Sequence, residues 1–289
     1  MAQPWEGIVS ADEIAAYEAA GFGRPQGMGK RPALLIIDVQ YRTVGTRREP
    51  FWDAIKEFKT ACGEPGWQAV DHIAPLLALF RELKLPVIYP YVSPKESFDV
   101  GRLAEKVPAL MKVAANGYQF VPEVAPREQD ILLPKKHPSA FFGTPLVSYL
   151  VDLGVDSLVV TGCTTSGCVR GSVVDGFAYN FRCTVPIECV YDRSATSHAV
   201  NLFDMAAKYA DVKPVAEVMA ELRALGAKGP VSAGARSPNR PFWQRTPPHG
   251  TLRQQVRPLS LLRTALPPKI CLAERRAACG VLRAQCRGL

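Results

Sequence analysis

The chain alternates between short, continuously apolar runs and longer segments in which apolar residues recur every three or four positions. The continuous runs are 33–38 (ALLIID), 87–92, 131–133, 157–161 (SLVVT) and 184–190, with a shorter one at 211–213. Strands that are apolar at successive positions are buried on both faces, which is the pattern of a parallel sheet. Helical-period segments fall between them. Val70, Ile73, Leu76, Leu77, Phe80 and Leu83 make one apolar face that ends before Pro86. Thr144 is a good N-cap with Pro145 at the first helical position. Leu146, Leu150 and Leu153 form the stripe that follows, and Gly154 closes the helix. Further helices are predicted over 168–179, 197–209 and 215–225.

Strand and helix repeat five or six times. This predicts a three-layer α/β fold: a doubly wound, mostly parallel sheet with helices on both faces, followed by an irregular C-terminal tail. Ligands of such sheets sit beyond the carboxyl ends of the strands. Asp38, Lys135 and the turn 162–168 therefore share one rim. Two excursions leave from strand ends on that rim. One covers 43–67 and is aromatic (Phe51, Trp52, Phe58, Trp67); the other covers 93–129, with a helix predicted over 101–107. Loops this long usually cap a pocket or contact another subunit.

Composition sharpens the domain picture. The 289 residues are 47% hydrophobic and 21% charged, which excludes a chain disordered throughout. The net charge of +8 is unevenly placed. Residues 229–289 hold ten Arg, one Lys and a single acid, Glu274, so the tail carries +10 and the body, 1–228, carries −2. Pro occurs eight times in that tail and the alternation stops. The reading is a folded body, 1–228, and a basic Pro/Arg-rich appendage, 229–289, expected to be disordered.

No apolar run approaches the ~18 residues a membrane helix needs. The first twenty residues carry Glu6, Asp12, Glu13 and Glu18 and no apolar signal region. A cytoplasmic location without membrane attachment is expected. The eight cysteines include no CxxC pair, and the four histidines form no HExxH, so zinc-finger and zincin spacings are absent. Free thiols in a reducing compartment are expected.

The turn after the fourth run, TGCTTSGCVR, carries the most chemistry. It puts Cys168 at a predicted helix start, where the dipole and free N–H groups favour a thiolate and can hold a developing oxyanion. Cys168 reads either as a small buried filler or as a nucleophile; the Gly/Thr/Ser turn at a strand end favours the nucleophile. Such a thiol needs a proton acceptor. Asp38 ends an all-apolar strand, where a charge is costly unless paired; it reads equally as a turn or capping residue. Lys135, at the end of the third run, supplies a pairing charge that would keep the thiol ionised. Cys163 reads as a buried filler, with a redox role beside Cys168 as the alternative.

Asp38 in LLIIDVQ, Lys135 in LPKKHPSAFFGT and Cys168 in VVTGCTTSGCVR resemble, in order and motif, the cysteine hydrolases of the isochorismatase-like superfamily. The resemblance spans roughly residues 21–225 and is strongest to the branch of N-carbamoylsarcosine amidases and maleamate amidohydrolases. It implies a metal-free, cofactor-free amidohydrolase acting on a small linear amide or ureido compound through a thioester. By resemblance Asp38, Lys135 and Cys168 form the triad, with Lys135 preferred to Lys136 because it stands four residues before Ser139. The Cys163–Thr164 peptide would be cis, and the Thr164 and Cys168 amides would form the oxyanion hole. Arg193, Thr165 and Phe141 would contact substrate, Arg193 through its carboxylate. The state implied is a homo-oligomer, a tetramer by preference.

Two features depart from the family pattern. Tyr41-Arg42-Thr43 follows Gln40 where Asn and Phe are common, and Tyr89-Pro90-Tyr91-Val92-Ser93 offers none of the metal ligands found in nicotinamidases of this fold. Two other readings remain. Isochorismatases of this fold cleave a vinyl ether without a thiol, which Cys168 argues against. The Arg-rich tail opens a nucleic-acid or anionic-surface binder with a vestigial hydrolase body, but it carries no recognisable reading motif, so no specific nucleic acid is expected.

Overall fold

The structure, a computed structural model, describes residues 3–96 and 98–227. The basic segment 229–289, expected as a separate appendage, lies outside the described residues. The strands are β1 (Pro32–Ile37), β2 (Val87–Val92), β3 (Ile131–Lys135), β4 (Ser157–Cys163), β5 (Arg182–Pro186), β6 (Val190–Tyr191) and β7 (Asp211–Lys213). The helices are α1 (Ala11–Ala19), α2 (Tyr41–Val44), α3 (Phe51–Glu57), α4 (Glu64–Glu82), α5 (Gly101–Lys106), α6 (Leu146–Asp152), α7 (Arg170–Ala178), α8 (Ala195–Lys208) and α9 (Val215–Ala227).

All strand pairs are parallel, in the order β3-β2-β1-β4-β5-β7, with β6 returning to β4. β1 and β4 form the centre, paired from Pro32 with Ser157 to Ile37 with Gly162. Successive side chains of β1 point to opposite faces. Leu34 and Ile36 pack with Val70, Ile73 and Phe80 of α4 and Val218 and Leu222 of α9. Ala33, Leu35 and Ile37 pack with Leu146 and Leu150 of α6, Val173 of α7 and Leu202 and Met205 of α8. The sheet thus has a core on each face, which is the doubly wound arrangement its apolar strands imply.

Several boundaries differ from the sequence pattern. The run 184–190 is not one strand. β5 ends at Pro186, a short 3-10 turn covers Ile187–Cys189, and β6 then pairs with β4 at Gly162 and Cys163. β5 lies between β4 and β7; after the break β6 pairs only with the end of β4, which delivers Tyr191 and Asp192 to the rim. β3 runs two residues further than predicted, to Lys135 itself. α4 begins at Glu64, six residues before its first predicted apolar contact, because Gly66, Trp67 and Ala69 are also buried. α6 starts one residue later than predicted, with Pro145 and not Thr144 at the N-cap position, because Pro145 has left the helical region; the Thr144 hydroxyl still accepts the Leu146 N–H at 3.3 Å, and Gly154 has φ +65° just past the end of α6. Among the described residues no helix is long and apolar enough to cross a membrane.

Candidate active site

Each of the three expected reactive residues sits at or just past the carboxyl end of a strand: β1 and β4 at the centre of the sheet and β3 at its edge. Asp38 follows β1 with φ +55°, a left-handed conformation that Asp tolerates better than most residues. Its N–H donates to Pro90 O, and its own carbonyl takes the Thr43 hydroxyl at 2.5 Å. Lys135 is the last residue of β3 and is buried. Cys168 lies in a π-type turn, Thr165–Val169, that leads into α7. This corrects the predicted start of the helix at Cys168. The Gly167 and Val169 amides both donate to Thr164 O, which widens the turn around Cys168. The Cys163–Thr164 peptide just before it is cis.

Lys135 joins the other two. Its Nζ lies 2.7 Å from Asp38 Oδ2, 3.4 Å from Cys168 Sγ and 3.3 Å from His137 O. An ammonium has three protons, and three acceptors surround this one. Burial works against the charged amine, but the Asp38 carboxylate beside it outweighs this and holds Lys135 protonated. Asp38 Oδ1 has no hydrogen-bond partner among the described residues.

The thiol behaves differently from the sequence expectation. Burial pushes Cys168 up to about 12; Lys135 opposes this and the Asp38 charge reinforces it. The resting group is therefore a thiol and not a thiolate. A helix dipole and one lysine do not offset desolvation plus a neighbouring carboxylate. Cys163 is fully enclosed, its pKa is raised by burial, and its Sγ lies 3.7 Å from Asp38 O. That is the filler reading.

A cavity of about 460 Å³ opens above the cluster, a size suited to a small ligand. Asp38, Lys135, Cys163, Thr164, Gly167 and Cys168 line it where the cluster lies. Leu103 of α5, with Val107, Ala109 and Leu110 after it, supplies an apolar wall, so the 93–129 excursion caps the pocket as expected. Lys59 and Thr60 bring in the other excursion. Six basic side chains line the cavity (Arg42, Lys59, Lys95, Lys135, Lys136, Arg193) and one acid, Asp38. A slightly larger cleft of about 560 Å³ lies elsewhere, among Trp5, Tyr17, Phe22 and Phe203, and none of the three reactive residues lines it.

Of the residues expected to contact substrate, Arg193 lines the cavity and donates from Nη2 to Thr60 O. It does not ion-pair with Asp192 among the described contacts; Asp192 instead accepts the Arg193 and Ser166 backbone N–H groups at 2.8 Å each. Thr165 and Phe141 do not line the cavity. Thr165 is fully buried and its hydroxyl lies 2.8 Å from His198 Nδ1. Burial lowers the His198 pKa and keeps that ring neutral. Phe141 packs in the core, stacked on Tyr179 at 5.5 Å. Both support the turn from behind, because the side chains following β3 and β4 point into the layer of α7 and α8.

Sequence reasoning passed over four residues that shape this site. Gln40 clamps the loop ends, with Nε2 donating to Tyr118 O at 2.7 Å and Oε1 accepting the Val92 N–H at 3.1 Å. Asp192 orders the Cys168 turn through Ser166. Lys95 and Arg42 bring positive charge to the cavity. The signals were faint: Gln40 follows Asp38 by two positions, and Asp192 is adjacent to Arg193.

Comparison with known proteins agrees with this geometry. Residues 32–217 match the isochorismatase domain. The chain is 38% identical to a maleamate amidohydrolase of Pseudomonas putida over 212 residues, covering 71% of this chain and 92% of the relative. It is 31% identical to an N-carbamoylsarcosine amidase of an Arthrobacter species over 218 residues, covering 72% of this chain and 78% of that one. A cysteine hydrolase structure from Pseudomonas syringae superposes with a TM-score of 0.62 at 19% identity, covering 71% and 98% of the two chains; at that identity the likeness is one of fold. With more than half its length matching the family and its fold shared with solved members, the chain belongs to the isochorismatase family of hydrolases.

Proposed function

We propose that this hydrolase is a cysteine-dependent amidohydrolase that releases ammonia from a small, carboxylate-bearing carboxamide or N-carbamoyl compound. The observation that carries this reading is the Lys135 ammonium bridging Asp38 and Cys168 at the floor of the cavity. This supports a reading in which one positive charge stands between a carboxylate that can accept a proton and a sulfur that can attack. The names of the two relatives agree: maleamate and N-carbamoylsarcosine each carry a terminal C–N bond and a carboxylate.

In the proposed reaction the Cys168 sulfur attacks the carbonyl carbon while its proton passes to Asp38. A thiol at rest makes this transfer necessary, and Oδ1 is the oxygen not committed to Lys135. The Thr164 and Cys168 amides receive the developing oxyanion; such donors contribute about 3 kcal/mol each where one has been removed from other enzymes. The C–N bond breaks as Asp38 returns the proton to nitrogen, so ammonia leaves and an acyl or carbamoyl thioester remains. Water then adds to the thioester carbon, Asp38 takes one of its protons, and the sulfur departs and regains that proton.

The test is an ammonia-release screen across small carboxamides and ureido acids. The wild-type protein should turn over acidic members of the set, and Cys168→Ser should be slower by at least ~1,000-fold. Ammonia release at an undiminished rate from the serine variant would overturn the thioester route.

A further inference from the structure

Arg42 is a charge without an answer in the fold. It lies in α2, four residues beyond Asp38, and is 2% exposed. Its Nε and Nη1 are buried and have no hydrogen-bond partner, and no carboxylate pairs with it among the described residues. Its guanidinium lies 5.2 Å from the centroid of the Tyr118 ring, a contact that attracts a cation but does not neutralise it. A buried, uncompensated charge is costly, and folds retain one mainly where a counter-charge arrives.

The surroundings fix the backbone and the base of the Arg42 side chain. The Thr60 hydroxyl donates to Arg42 O at 2.5 Å. Gly117 leaves room beside the base of the side chain: a Cβ there would stand 3.3 Å from Arg42 Cβ and 2.6 Å from Val113 Cγ1. The next residue, Tyr118, is tied down through Gln40. The side chain lines the same cavity as Cys168. The one acid on that cavity, Asp38, is already engaged by Lys135 at 2.7 Å. Lys95 also lines the cavity and is held below its usual pKa, by burial first and then by neighbouring cations that include Arg42. Excess positive charge in the pocket is thus felt by the groups within it. Arg193 already spends a donor on Thr60 O, whereas Arg42 has spent none on the protein.

We infer that Arg42 is the specificity-determining residue that binds the carboxylate of the substrate, with Arg193 as a secondary charge at the rim. The inference rests on the amidohydrolase reading for the reactive end of the substrate and assigns the other end. Preferred substrates are short amides or ureido acids whose carboxylate reaches the Tyr118 side of the cavity while the carbonyl meets Cys168. The departure of Tyr41-Arg42-Thr43 from the common family pattern is then the mark of this subsite.

The test compares Arg42→Gln, Arg42→Lys and Arg193→Gln on the best acidic amide from the screen and on its neutral diamide. Arg42→Gln should lower kcat/KM for the acidic amide by ~100-fold, mainly through KM, and for the diamide by less than ~3-fold. Arg42→Lys keeps the charge and loses the planar geometry, so it should recover about one tenth of the loss. Arg193→Gln should discriminate less than Arg42→Gln. Equal losses on the acidic amide and the diamide would make Arg42 a structural residue and overturn the assignment. If Arg42→Gln does not fold, the same comparison applied to Arg42→Lys decides. Calorimetric binding of maleate to Cys168→Ala protein, with and without Arg42→Gln, separates the two readings. Arg42-dependent binding without turnover of any amide by the wild type would sink the amidohydrolase reading and keep the anion subsite. Amide turnover with Arg42-independent maleate binding would do the reverse.

Discussion

A sulfur raised to about 12 is protonated at neutral pH, so the groups around Cys168 set when it reacts. Lys135 lowers that pKa and Asp38 raises it, which gives the two neighbours opposite signatures. Asp38→Asn should speed alkylation of Cys168 by iodoacetamide at pH 8, yet cut amide turnover by ~1,000-fold because the proton acceptor is gone. Lys135→Ala should slow alkylation at every pH. Rates followed from pH 7 to 10 check both, and unchanged alkylation in the two variants would show that the sulfur does not sense the pair. Asp38 and Lys135 stand out in the sequence because each ends an apolar run, where a charge needs a partner, and Cys168 because a Gly/Thr/Ser turn carries it just past one. Thr165 and Phe141, expected at the substrate, do not line the cavity, for the converse reason. Proximity to a motif says nothing about which way a side chain points, and both point into the core.

Elements meet at the rim through a few backbone positions that admit no substitution. Gly162 is the sharpest case. It has φ +99°, and a Cβ built on it would stand 2.0 Å from Ile37 O across the central β1–β4 pair. Backbone cannot yield there without moving Asp38, the next residue after Ile37. Gly162→Ala should cost on the order of 3–5 kcal/mol in urea unfolding and abolish turnover with it; a change below ~1 kcal/mol would show that the two strands can part. At this scale the pattern was readable where one element stands alone. The helix ending at Gly154 and the strand 87–92 were found as predicted. α1 was passed over, although its Ser10–Glu13 capping box is a sequence signature in which each residue's side chain meets the other's backbone N–H. The break between β5 and β6 leaves little local signal, because it is set by where β6 meets the end of β4 and not by the residues of the run itself.

Across the whole molecule, five thiols among the described residues are raised by burial. Cys62, Cys168 and Cys183 are pushed to about 12, and Cys163 and Cys189 are also raised. Their ordinary value is 9.0, so above that pH the unfolded chain sheds thiol protons that the folded chain keeps. The folded state then binds more protons, and stability must fall as pH rises. Each thiol contributes a slope of about 1.4 kcal/mol per pH unit from pH 9 towards 12. Urea titrations under reducing conditions at pH 8, 9, 10 and 11 should show the midpoint falling steeply only above 9, and a flat response would mean the thiols are not held in the core. The basic segment gives a separate expectation. Deleting 229–289 removes a charge of +10 and should weaken salt-dependent binding to heparin while leaving ammonia release unchanged. Lost activity would place part of that segment in the working enzyme.

The amino-acid sequence by itself determined the layers and the rim. Runs such as ALLIID and SLVVT are buried on both faces whatever surrounds them, and a parallel sheet directs their carboxyl ends to one edge. Asp38, Lys135 and the Cys168 turn were placed together by that rule, with no distance known. Tertiary structure decided what those groups do to one another. Protonation of the thiol depends on desolvation by the cap and on a carboxylate 130 positions away in the chain. The same holds for Arg42, an ordinary surface residue by type, which is buried beside Tyr118 and Gly117 of one excursion and Thr60 of the other. Burial and electrostatic coupling are properties of neighbours in space, and long loops bring those neighbours from positions that no local pattern connects.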